Sequence, residues 1–401
     1  MLLTRAYRYE LKPNSSQRIL LAKHAGAARF TYNWGLHKRI EQYQRDKTFS
    51  DAISQHKELN AIKETELPWM YEVSKCAPQE ALRDLERAFS NFFRACKQKK
   101  KIGFPRFRKK GQHDRFRLTG TIKVLERSVQ LPRLESMRLK ERTAVSGRIL
   151  SASVSREADR WFVSLTVEQE VSEPQKIIGE GVGIDVGLTS FATCSDGTKI
   201  LAPRPLNKRI RRLKRLSKQH SHQVKGSSNR RKSSLKLAQL HRRIKNIRAN
   251  SLHQISSQLA KTKSVIVLED LAVSNMVRNR HLSRHIMDVG WGEFRRQLEY
   301  KCRWYGSQLL IAPRFFPSSK LCSACGCQRE SLKLHERQWS CDSCGTTHDR
   351  DINAAQNLLS WSTVSSTGMN ACGESSGGAI GQLTASHGSL KQELTLGHIC
   401  P

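Results

Sequence analysis

Two kinds of hydrophobic spacing alternate along the first hundred residues. Residues 1–12 alternate between apolar and polar side chains, which predicts a strand, and Pro13-Asn14-Ser15-Ser16 is a typical helix start. The helix that follows is predicted to pass through Arg29, Phe30 and Trp34. From Cys76 to Cys96 apolar residues recur three and four positions apart, which predicts another helix.

Alternation returns further along the chain. Val163, Leu165 and Val167 alternate with polar residues and predict a half-buried strand, for which residues 148–154 supply a hairpin partner. Residues 1–175 are therefore predicted to form a β-rich unit into which helices are inserted. The segment 174–180 is the predicted boundary of this unit.

Short apolar runs beyond the boundary predict buried strands. The first contains a single acid, Asp185, and residues 191–194 are predicted to pair with it across a Ser-Asp-Gly turn. Residues 264–268 fit a strand that is buried on both faces and ends at Glu269. A helix over 291–304 and another apolar run at 309–311 follow.

Residues 204–248 hold 17 Lys or Arg and no acid. An apolar stripe runs through this basic segment and Gly226-Ser-Ser-Asn interrupts it, which predicts a helical hairpin. The stripe consists of Leu213, Leu216, Leu235, Leu240, Ile244 and Ile247. One face is predicted to dock on the core and the other to contact a polyanion, because so many cations repel one another without a counter-charge. Candidate contacts on the outer face are Arg211, Lys214, Lys218 and Arg242.

The whole chain is strongly basic. Its 401 residues include 70 Lys and Arg against 35 Asp and Glu, a formal charge of +35, which indicates polyanionic partners. A basic ribosome-like or cell-surface protein is the alternative. The first residues lack a sustained apolar run, and no stretch approaches the ~20 apolar residues of a membrane span. We therefore expect a cytoplasmic nucleic-acid-binding protein.

The segment Lys97–Arg117 combines cations with aromatic residues. Cations beside rings suit a phosphate backbone with stacked bases, and Arg106 and Arg108 are candidate contacts. The alternative is a solvated basic loop with some of its phenylalanines in the core. The rings concerned are Phe104, Phe107 and Phe116.

Two Cys-x2-Cys knuckles, separated by 15 residues, form the strongest local pattern. This spacing predicts a structural zinc ribbon with four thiolate ligands. The ligands are Cys322, Cys325, Cys341 and Cys344. Two disulfides or free thiols are the alternative, although 11 cysteines, seven of them outside the ribbon, do not suggest a disulfide framework. Cys327 is a spare thiol by its spacing.

Three acids occur where an acid is not expected. Asp185 interrupts a strand, Glu269 ends a buried strand, and Asp351 opens a helix predicted to run to about Trp361. Each alone has an ordinary explanation, such as a solvated strand end or, for Asp351, a helix cap. Together, on a basic chain, they indicate a site for Mg²⁺, with a pair of ions expected, which would hydrolyse a phosphodiester.

Segments along most of the chain resemble, in order, the TnpB (OrfB) proteins of bacterial insertion sequences. In the second half these are Gly-Ile-Asp-Val-Gly-Leu at 183–188, Val-Leu-Glu-Asp-Leu at 267–271, Asp-Val-Gly-Trp-Gly-Glu-Phe at 288–294, Pro-Ser-Ser-Lys-Leu-Cys-Ser-Ala-Cys-Gly at 317–326 and His-Asp-Arg-Asp-Ile-Asn-Ala-Ala at 348–355. In the first half they are Tyr9-Glu-Leu-Lys-Pro, Gly26-Ala-Ala-Arg-Phe-Thr-Tyr-Asn-Trp and Gly103-Phe-Pro-Arg-Phe-Arg. The resemblance covers roughly residues 1–360.

This resemblance implies an α+β multidomain fold. A β-barrel wedge domain at 1–175, with a helical recognition unit inserted at about 15–120, precedes a RuvC-like nuclease domain of RNase H fold at 176–360. The zinc ribbon, at 318–347, is inserted in the nuclease domain. Residues 361–401 lie outside the resemblance, and with 7 of the 24 Gly, one Lys and no Arg they are predicted to be a disordered tail.

The resemblance also implies the activity, that of an RNA-guided DNA endonuclease related to the type V CRISPR effector nucleases. The family's catalytic triad falls on Asp185, Glu269 and Asp351. We choose Asp351 over Asp349 because the family motif places the acid two residues before an Asn, here Asn353.

The implied cofactors are structural Zn²⁺ and catalytic Mg²⁺, and the implied partners are a guide RNA and a target DNA bound by a monomer. Lys75 and Gln79 lie in a segment that resembles the one with which the family recognises a short target-adjacent motif. Specificity beyond that motif would reside in guide pairing. The main alternative is a DNA-binding transposase accessory or regulator of transposition without cleavage. A strand-transfer transposase and a non-catalytic RNA-binding protein are further alternatives.

Overall fold

The computed structural model describes residues 1–100, 102–112, 114–333 and 335–370, with side chains described as far as residue 363. The N-terminal unit consists of β1 (Leu2–Leu11), α1 (Ser15–Asp46), α2 (Ala52–Lys63), α3 (Cys76–Lys97), β2 (Arg115–Leu118), β3 (Lys123–Leu125), β4 (Ser128–Gln130), β5 (Met137–Arg138), β6 (Arg148–Glu157) and β7 (Arg160–Glu170).

The rest of the chain adds β8 (Val182–Asp185), β9 (Ser190–Cys194), β10 (Lys199–Leu201), α4 (Ile210–His222), α5 (Ser228–Thr262), β11 (Val265–Glu269), α6 (Val273–Met276), α7 (Ser283–Val289), α8 (Trp291–Tyr305), β12 (Gln308–Ala312), β13 (Gln338–Ser340), β14 (Thr347–Asp349) and α9 (Arg350–Asn370). The strands and helices predicted at the start of the chain, at 76–96, at 148–167 and around 185, 265 and 291 are confirmed.

The first and last strands of the N-terminal unit pair with each other in antiparallel orientation. Strand β1 lies along β7, and the full sheet order is β1-β7-β6-β2. A second sheet, β3-β4-β5, is joined to it by a bridge between Leu11 and Leu139. Helix α1 begins where the sequence indicates, because the side chains of Asn14 and Gln17 form a reciprocal capping box. Helices α1 and α3 then pack with both sheets around one hydrophobic core.

The C-terminal unit is built on a five-stranded mixed sheet of order β10-β9-β8-β11-β12. Strands β8, β9 and β10 are antiparallel neighbours, whereas β8, β11 and β12 run parallel. Helices α5 and α8 contribute to one core cluster with the sheet, and α9 packs its Leu358 against Val267 in another. Because helices cover both faces, β11 is apolar on both sides, as its sequence predicts.

One glycine determines how closely α9 approaches this sheet. A Cβ on Gly183, in β8, would lie 1.9 Å from the carbonyl oxygen of Ala355 and 2.7 Å from the backbone nitrogen of Leu359. Only a residue without a side chain therefore allows the backbone of α9 to rest directly on β8. This contact fixes the height of the helix that carries Asp351.

The basic segment forms a hairpin, but its apolar stripe packs differently from the prediction. Leu216, Leu240 and Ile244 form a small separate cluster between α4 and α5, so this stripe closes the hairpin on itself and does not dock on the main core. Leu235, predicted in the stripe, is 39% exposed. Helix α5 continues to Thr262, and it is this second half that enters the core of the C-terminal unit.

A buried acid fixes the root of the hairpin. Asp288 is 2% exposed and accepts hydrogen bonds from the backbone N–H groups of Leu206 and Asn207 at 3.0 and 2.9 Å. The guanidinium of Arg248 lies 3.2 Å from the same carboxylate. Both ends of the hairpin are thus held to α7 by one charge.

The end of the chain also departs in part from the prediction. Helix α9 runs to Asn370, so residues 361–370 are helical and the predicted disordered tail does not begin at 361. The remainder of that predicted tail, 371–401, lies outside the described residues. In the portion of the chain that is described, no helix is both long enough and apolar enough to cross a membrane.

Replacing Gly183 with Ala is expected to destabilise the C-terminal unit by about 1–3 kcal/mol, because α9 must move away from β8. Thermal unfolding followed by circular dichroism measures the change. Gly179→Ala is the matched control, since its added Cβ would find no heavy atom nearer than 3.9 Å. Equal unfolding temperatures for the two variants would contradict the packing argument.

Candidate active site and cysteine cluster

The parallel pairing of β8 with β11 brings two of the three acids together. Ile184 is in register with Leu268, so the next residues, Asp185 and Glu269, end neighbouring strands at the same sheet edge. Helix α9 rests on β8 and contributes Asp351 from its first turn. Acids that are 84 and 82 residues apart in sequence therefore meet at one place.

The pKa of Asp185 reflects the proximity of the three acids. Burial, together with the charges of Glu269 and Asp351, raises the pKa of its carboxyl to about 7. Arg350 and Arg337 oppose the shift. These two guanidinium groups compensate the charge of the cluster only in part, so a proton or a cation at Asp185 is favoured near neutral pH.

The two acids of the His-Asp-Arg-Asp segment have different surroundings. Asp349 accepts hydrogen bonds from the backbone N–H groups of Asp351 and Ile352 at 3.0 and 3.1 Å, so it caps α9. Its other carboxylate oxygen lies 2.7 Å from the ammonium of Lys199. Asp351 does not cap the helix, contrary to the ordinary explanation for an acid at that position, and interacts with Asp185.

Two further residues contact the acids without having been singled out in the sequence. The hydroxyl of Ser318 donates to Glu269, and Ser318 is itself buried. The guanidinium of Arg337 lies 3.4 Å from Asp351. Ser318 belongs to the Pro-Ser-Ser segment before the first knuckle, whose only sequence signal was its place in the resemblance. Arg337 carried no signal, because the chain contains many arginines.

The three acids do not form a compact set of ligands. In the described part of the chain, the only group of three or more potential ligands with all donor atoms within 4.8 Å of one another is the four cysteines. Carboxylate oxygens are the ligands that Mg²⁺ prefers, so the chemistry of the three acids fits that ion.

The four cysteines have the geometry of a tetrahedral thiolate site. The Sγ atoms of Cys322 and Cys344 are 3.7 Å apart, and those of Cys325 and Cys341 are 3.6 Å apart. Four sulfurs at about 2.3 Å from a central zinc are separated by about 3.8 Å. All four thiols are free, and such distances exceed the ~2.05 Å of a disulfide. Cys327, also free, lies outside the cluster, as expected.

Polar side chains contact two of the four cysteines. Nε2 of His348 lies 3.0 Å from the Sγ of Cys322, and burial lowers the pKa of this imidazole, which favours its neutral form. The Sγ of Cys344 lies 3.2 Å from the hydroxyl oxygen of Thr346, and side-chain and backbone hydrogen bonds with Thr346 lower the pKa of that thiol to about 6. Such outer contacts orient and tune metal ligands.

The first knuckle is tied to the helix that carries Asp351. The side-chain amide of Asn353 donates to the carbonyl of Leu321 at 2.7 Å and accepts from the N–H of Ser323 at 2.9 Å. One turn later, Asn357 donates to the carbonyls of Ser318 and Leu321. The cysteine cluster and the acid cluster therefore share one support.

Two of the predicted contacts in the N-terminal unit, Lys75 and Gln79, lie at the start of α3. Lys75 immediately precedes the helix and is exposed, whereas Gln79, four residues later, is partly buried. Pro78 falls in the first turn, where a missing N–H costs nothing. Lys75 also lines a cleft of about 550 Å³. Arg106 is exposed in the basic segment.

Two other predicted contacts are engaged within the protein. Arg108 lies with its guanidinium 3.6 Å from the ring centre of Tyr32 and 3.4 Å from Asp84. Arg242 is only 12% exposed and forms an ion pair of 2.6 Å with Asp159, so the expectation that it lies on the outer face of the hairpin is wrong. The other three hairpin candidates, Arg211, Lys214 and Lys218, are exposed.

The rings of the basic segment are divided between core and surface. Phe116 is 4% exposed and belongs to the N-terminal core, as the alternative for this segment expected. Phe104 and Phe107 are 47% and 51% exposed. Phe104 nevertheless contacts Phe89 edge-on, with ring centres 5.4 Å apart. Base stacking therefore stays a hypothesis for the two exposed rings only.

Three family models match the chain. A model described as "Probable transposase" matches residues 164–280, a "Cas12f1-like, TNB domain" matches 291–358, and a "Helix-turn-helix domain" matches 1–48. The last of these segments consists of β1 and the single long helix α1. The first two cover the sheet with Asp185 and Glu269, and the segment with the cysteines and Asp351.

Curated relatives cover almost the whole chain. A Streptomyces pristinaespiralis protein named "Putative RNA-guided DNA endonuclease" is 37% identical over 92% of this chain and 91% of its own length. An Escherichia coli K12 protein, given the same name with the suffix InsQ, is 34% identical over 97% of each. The Cas12f1 chain of a solved complex with sgRNA and target DNA has the same overall fold, with a TM-score of 0.55 and 13% identity over 89% of this chain and 99% of its own.

These matches define a class of nucleases with an α+β architecture. Within that class the chain belongs to the TnpB (OrfB) family.

The cysteine cluster is expected to bind one zinc ion per chain, with a folding contribution on the order of 10 kcal/mol. Cys341→Ser should therefore lose zinc and lower the unfolding temperature. Cys327→Ser, which changes a thiol outside the cluster, should retain both. Elemental analysis of protein purified without chelator measures the stoichiometry, and an absence of zinc in the unmodified protein would contradict the assignment.

Proposed function

We propose that this protein is an RNA-guided, divalent-metal-dependent DNA endonuclease of a transposable element, which cuts DNA next to a short target-adjacent motif. The single observation that carries the proposal is the meeting of Asp185, Glu269 and Asp351 at one sheet edge of a strongly basic chain. The names of its full-length relatives support the same activity.

The three acids would hold Mg²⁺, which when bound activates a water molecule and stabilises the charge that develops on the leaving oxygen. The protein itself holds the three acids in place. Glu269 is oriented by the buried hydroxyl of Ser318, and Asp351 is fixed because Asp349 caps the helix on which it lies. Asp185, whose raised pKa favours a proton near neutral pH, would keep its charge when a cation replaces that proton.

The sheet topology supports an RNase H-like nuclease domain over residues 176–360. Three antiparallel strands followed by two parallel ones, with Asp185 on the central strand, is the arrangement expected of that fold. The zinc ribbon would be an insertion at 318–347 that holds α9 in place. For the N-terminal unit, the two bridged sheets support a β-barrel wedge with α1 to α3 as the inserted recognition unit.

The nucleic acids would lie along the exposed cations. We assign Lys75 and Gln79 to the target-adjacent motif, and Arg106, Arg211, Lys214 and Lys218 to the phosphates of guide RNA or target DNA. Arg108 and Arg242 instead position their neighbours, since their guanidinium groups are committed to Asp84 and Asp159. Base pairing with the guide would supply the remaining specificity.

A regulator of transposition that binds DNA without cutting it is less well supported. Such a protein would need the basic surface and the ribbon but not the acid cluster. A carboxyl whose pKa is raised to about 7 by burial and by two like charges costs stability, and cleavage chemistry explains its presence.

Substitution of Asp185, Glu269 or Asp351 with Ala is expected to reduce guided DNA cleavage by roughly three orders of magnitude or more, while guide-RNA binding persists. Cleavage rates and filter-binding affinities measure the two properties. Asp349→Ala is the matched comparison, because it should cost about 1 kcal/mol of helix capping and, by loosening the support of Asp351, reduce cleavage far less. Full activity in Asp351→Ala with loss in Asp349→Ala would move the catalytic role to Asp349.

Neutralising Arg211, Lys214 and Lys218 together with Gln is expected to weaken nucleic-acid binding regardless of sequence. The salt dependence of duplex DNA binding should flatten by up to about 0.9 log units for each phosphate that the protein no longer neutralises. Thermal stability should change little, because the three side chains are exposed. The control is the charge-retaining variant Arg211→Lys, Lys214→Arg, Lys218→Arg. An unaltered salt slope in the Gln variant would remove the hairpin from the nucleic-acid surface.

A further inference from the structure

A cavity of about 390 Å³ opens beside Glu269, at the sheet edge where the acids meet. Much of its lining is apolar and comes from three elements that also form the core, including Val186, Leu268, Leu271 and Phe294. The proposed chemistry uses Glu269 but nothing else in this cavity. A concave apolar space directly next to reacting groups is where an enzyme holds part of its substrate.

One side chain of the cavity lining carries an unused hydrogen-bond donor. Trp291 is 6% exposed, and its indole Nε1 is buried without an acceptor among the described residues. A buried donor without a partner costs free energy, so such atoms are rare unless a ligand or water reaches them. Trp291 lines the cavity, so an acceptor bound there that reaches the buried Nε1 would satisfy this donor.

The backbone beside this indole is also open. Trp291 and Gly292 begin α8, a helix of 15 residues, and their backbone N–H groups have no acceptor within the described part of the chain. No heavy atom lies within 4 Å of the position that a Cβ on Gly292 would take. Free N–H groups at the start of a helix favour an anion such as a phosphate.

The charged residues of the cavity lining are one acid, Glu269, and two basic residues. Arg295 and Arg314 contribute to the lining and both contact Asp270, at 2.7 and 2.5 Å. Arg295 also contacts Glu299 at 3.2 Å, whereas Arg314 is half exposed. The polar groups that remain on the lining are the Ser274 hydroxyl and the Asn275 amide, both on exposed residues.

We propose that this cavity binds one nucleobase of the DNA strand being cut, with the adjoining phosphate against the N–H groups of Trp291 and Gly292. The inference rests on the nuclease function proposed above. Apolar walls suit the faces of a base, and every base carries acceptors at its edge that Trp291 Nε1 can meet. Holding a base out of the stack would draw the neighbouring phosphodiester toward Glu269, because the two are covalently linked.

The first test removes the base from the substrate. The complete protein–guide RNA complex is given target DNA in which one abasic nucleotide is moved through each position around the mapped cut. One position is expected to slow cleavage about 10-fold at subsaturating DNA, since a stacked base contributes on that scale. Equal rates at all positions would overturn the proposal.

The second test changes the cavity. Trp291→Phe, which removes the N–H, and Ser274→Phe, which places a ring at an exposed lining position, should slow cleavage of intact DNA. Neither should slow it further when the base at the sensitive position is already absent. Ser172→Phe, at an exposed serine in the segment between the two units, is the matched control and should leave cleavage unchanged. Additive losses would overturn the proposal.

A binding measurement separates this inference from the proposed function. With Asp185→Ala to prevent cleavage, 2-aminopurine at the sensitive position, or at each position around the guide-defined target end, should change its fluorescence at one position only. Ser274→Phe should abolish the change. A response that is equal at every position, or unaltered by Ser274→Phe, would overturn the cavity assignment. If the unmodified complex cuts no DNA, the nuclease function fails, while the fluorescence still decides the cavity.

Discussion

Mutual repulsion among three carboxylates at the edge of a buried sheet is the constraint around which the C-terminal unit is organised. Burial and the neighbouring charges raise the pKa of Asp185 to about 7, so the acids would separate if their supports were flexible. Two supports are rigid strands in parallel register, and the third is a helix that touches a strand directly at Gly183. Because like charges are held close together in this site, bound cations stabilise it.

The cysteine cluster extends the same support. It lies immediately before α9 in sequence, and Asn353 and Asn357 bind the backbone of its first knuckle. Ser318, which precedes that knuckle, contacts Glu269. A zinc ion that holds the knuckles together would therefore also fix Asp351 and orient Glu269, although it would take no part in the chemistry itself.

Acidic residues also hold the basic hairpin in place. The hairpin contains no acid, yet its root is held by Asp288 and its flank by Asp159 and Glu157 of the β6–β7 turn. These acids fix a few cations by ion pairs and leave others, such as Lys214, in solvent. Paired cations and solvent-exposed cations thus occur in one basic segment, and they differ in their partners alone.

Spacing along the chain predicted the longer elements and the chemical groups. Periodic spacing and short apolar runs indicated β1, β6 to β9, β11, β12 and most helices but not the other strands, the Cys-x2-Cys spacing indicated the ribbon, and acids in apolar surroundings indicated Asp185 and Glu269. Other features became visible only in the folded chain. Asp349 caps α9, Arg242 is paired with Asp159, and Leu235 is exposed. A cavity lined by Trp291 adjoins Glu269. Local spacing fixes which face of an element is apolar, but the neighbour that covers that face is chosen by packing across the whole chain.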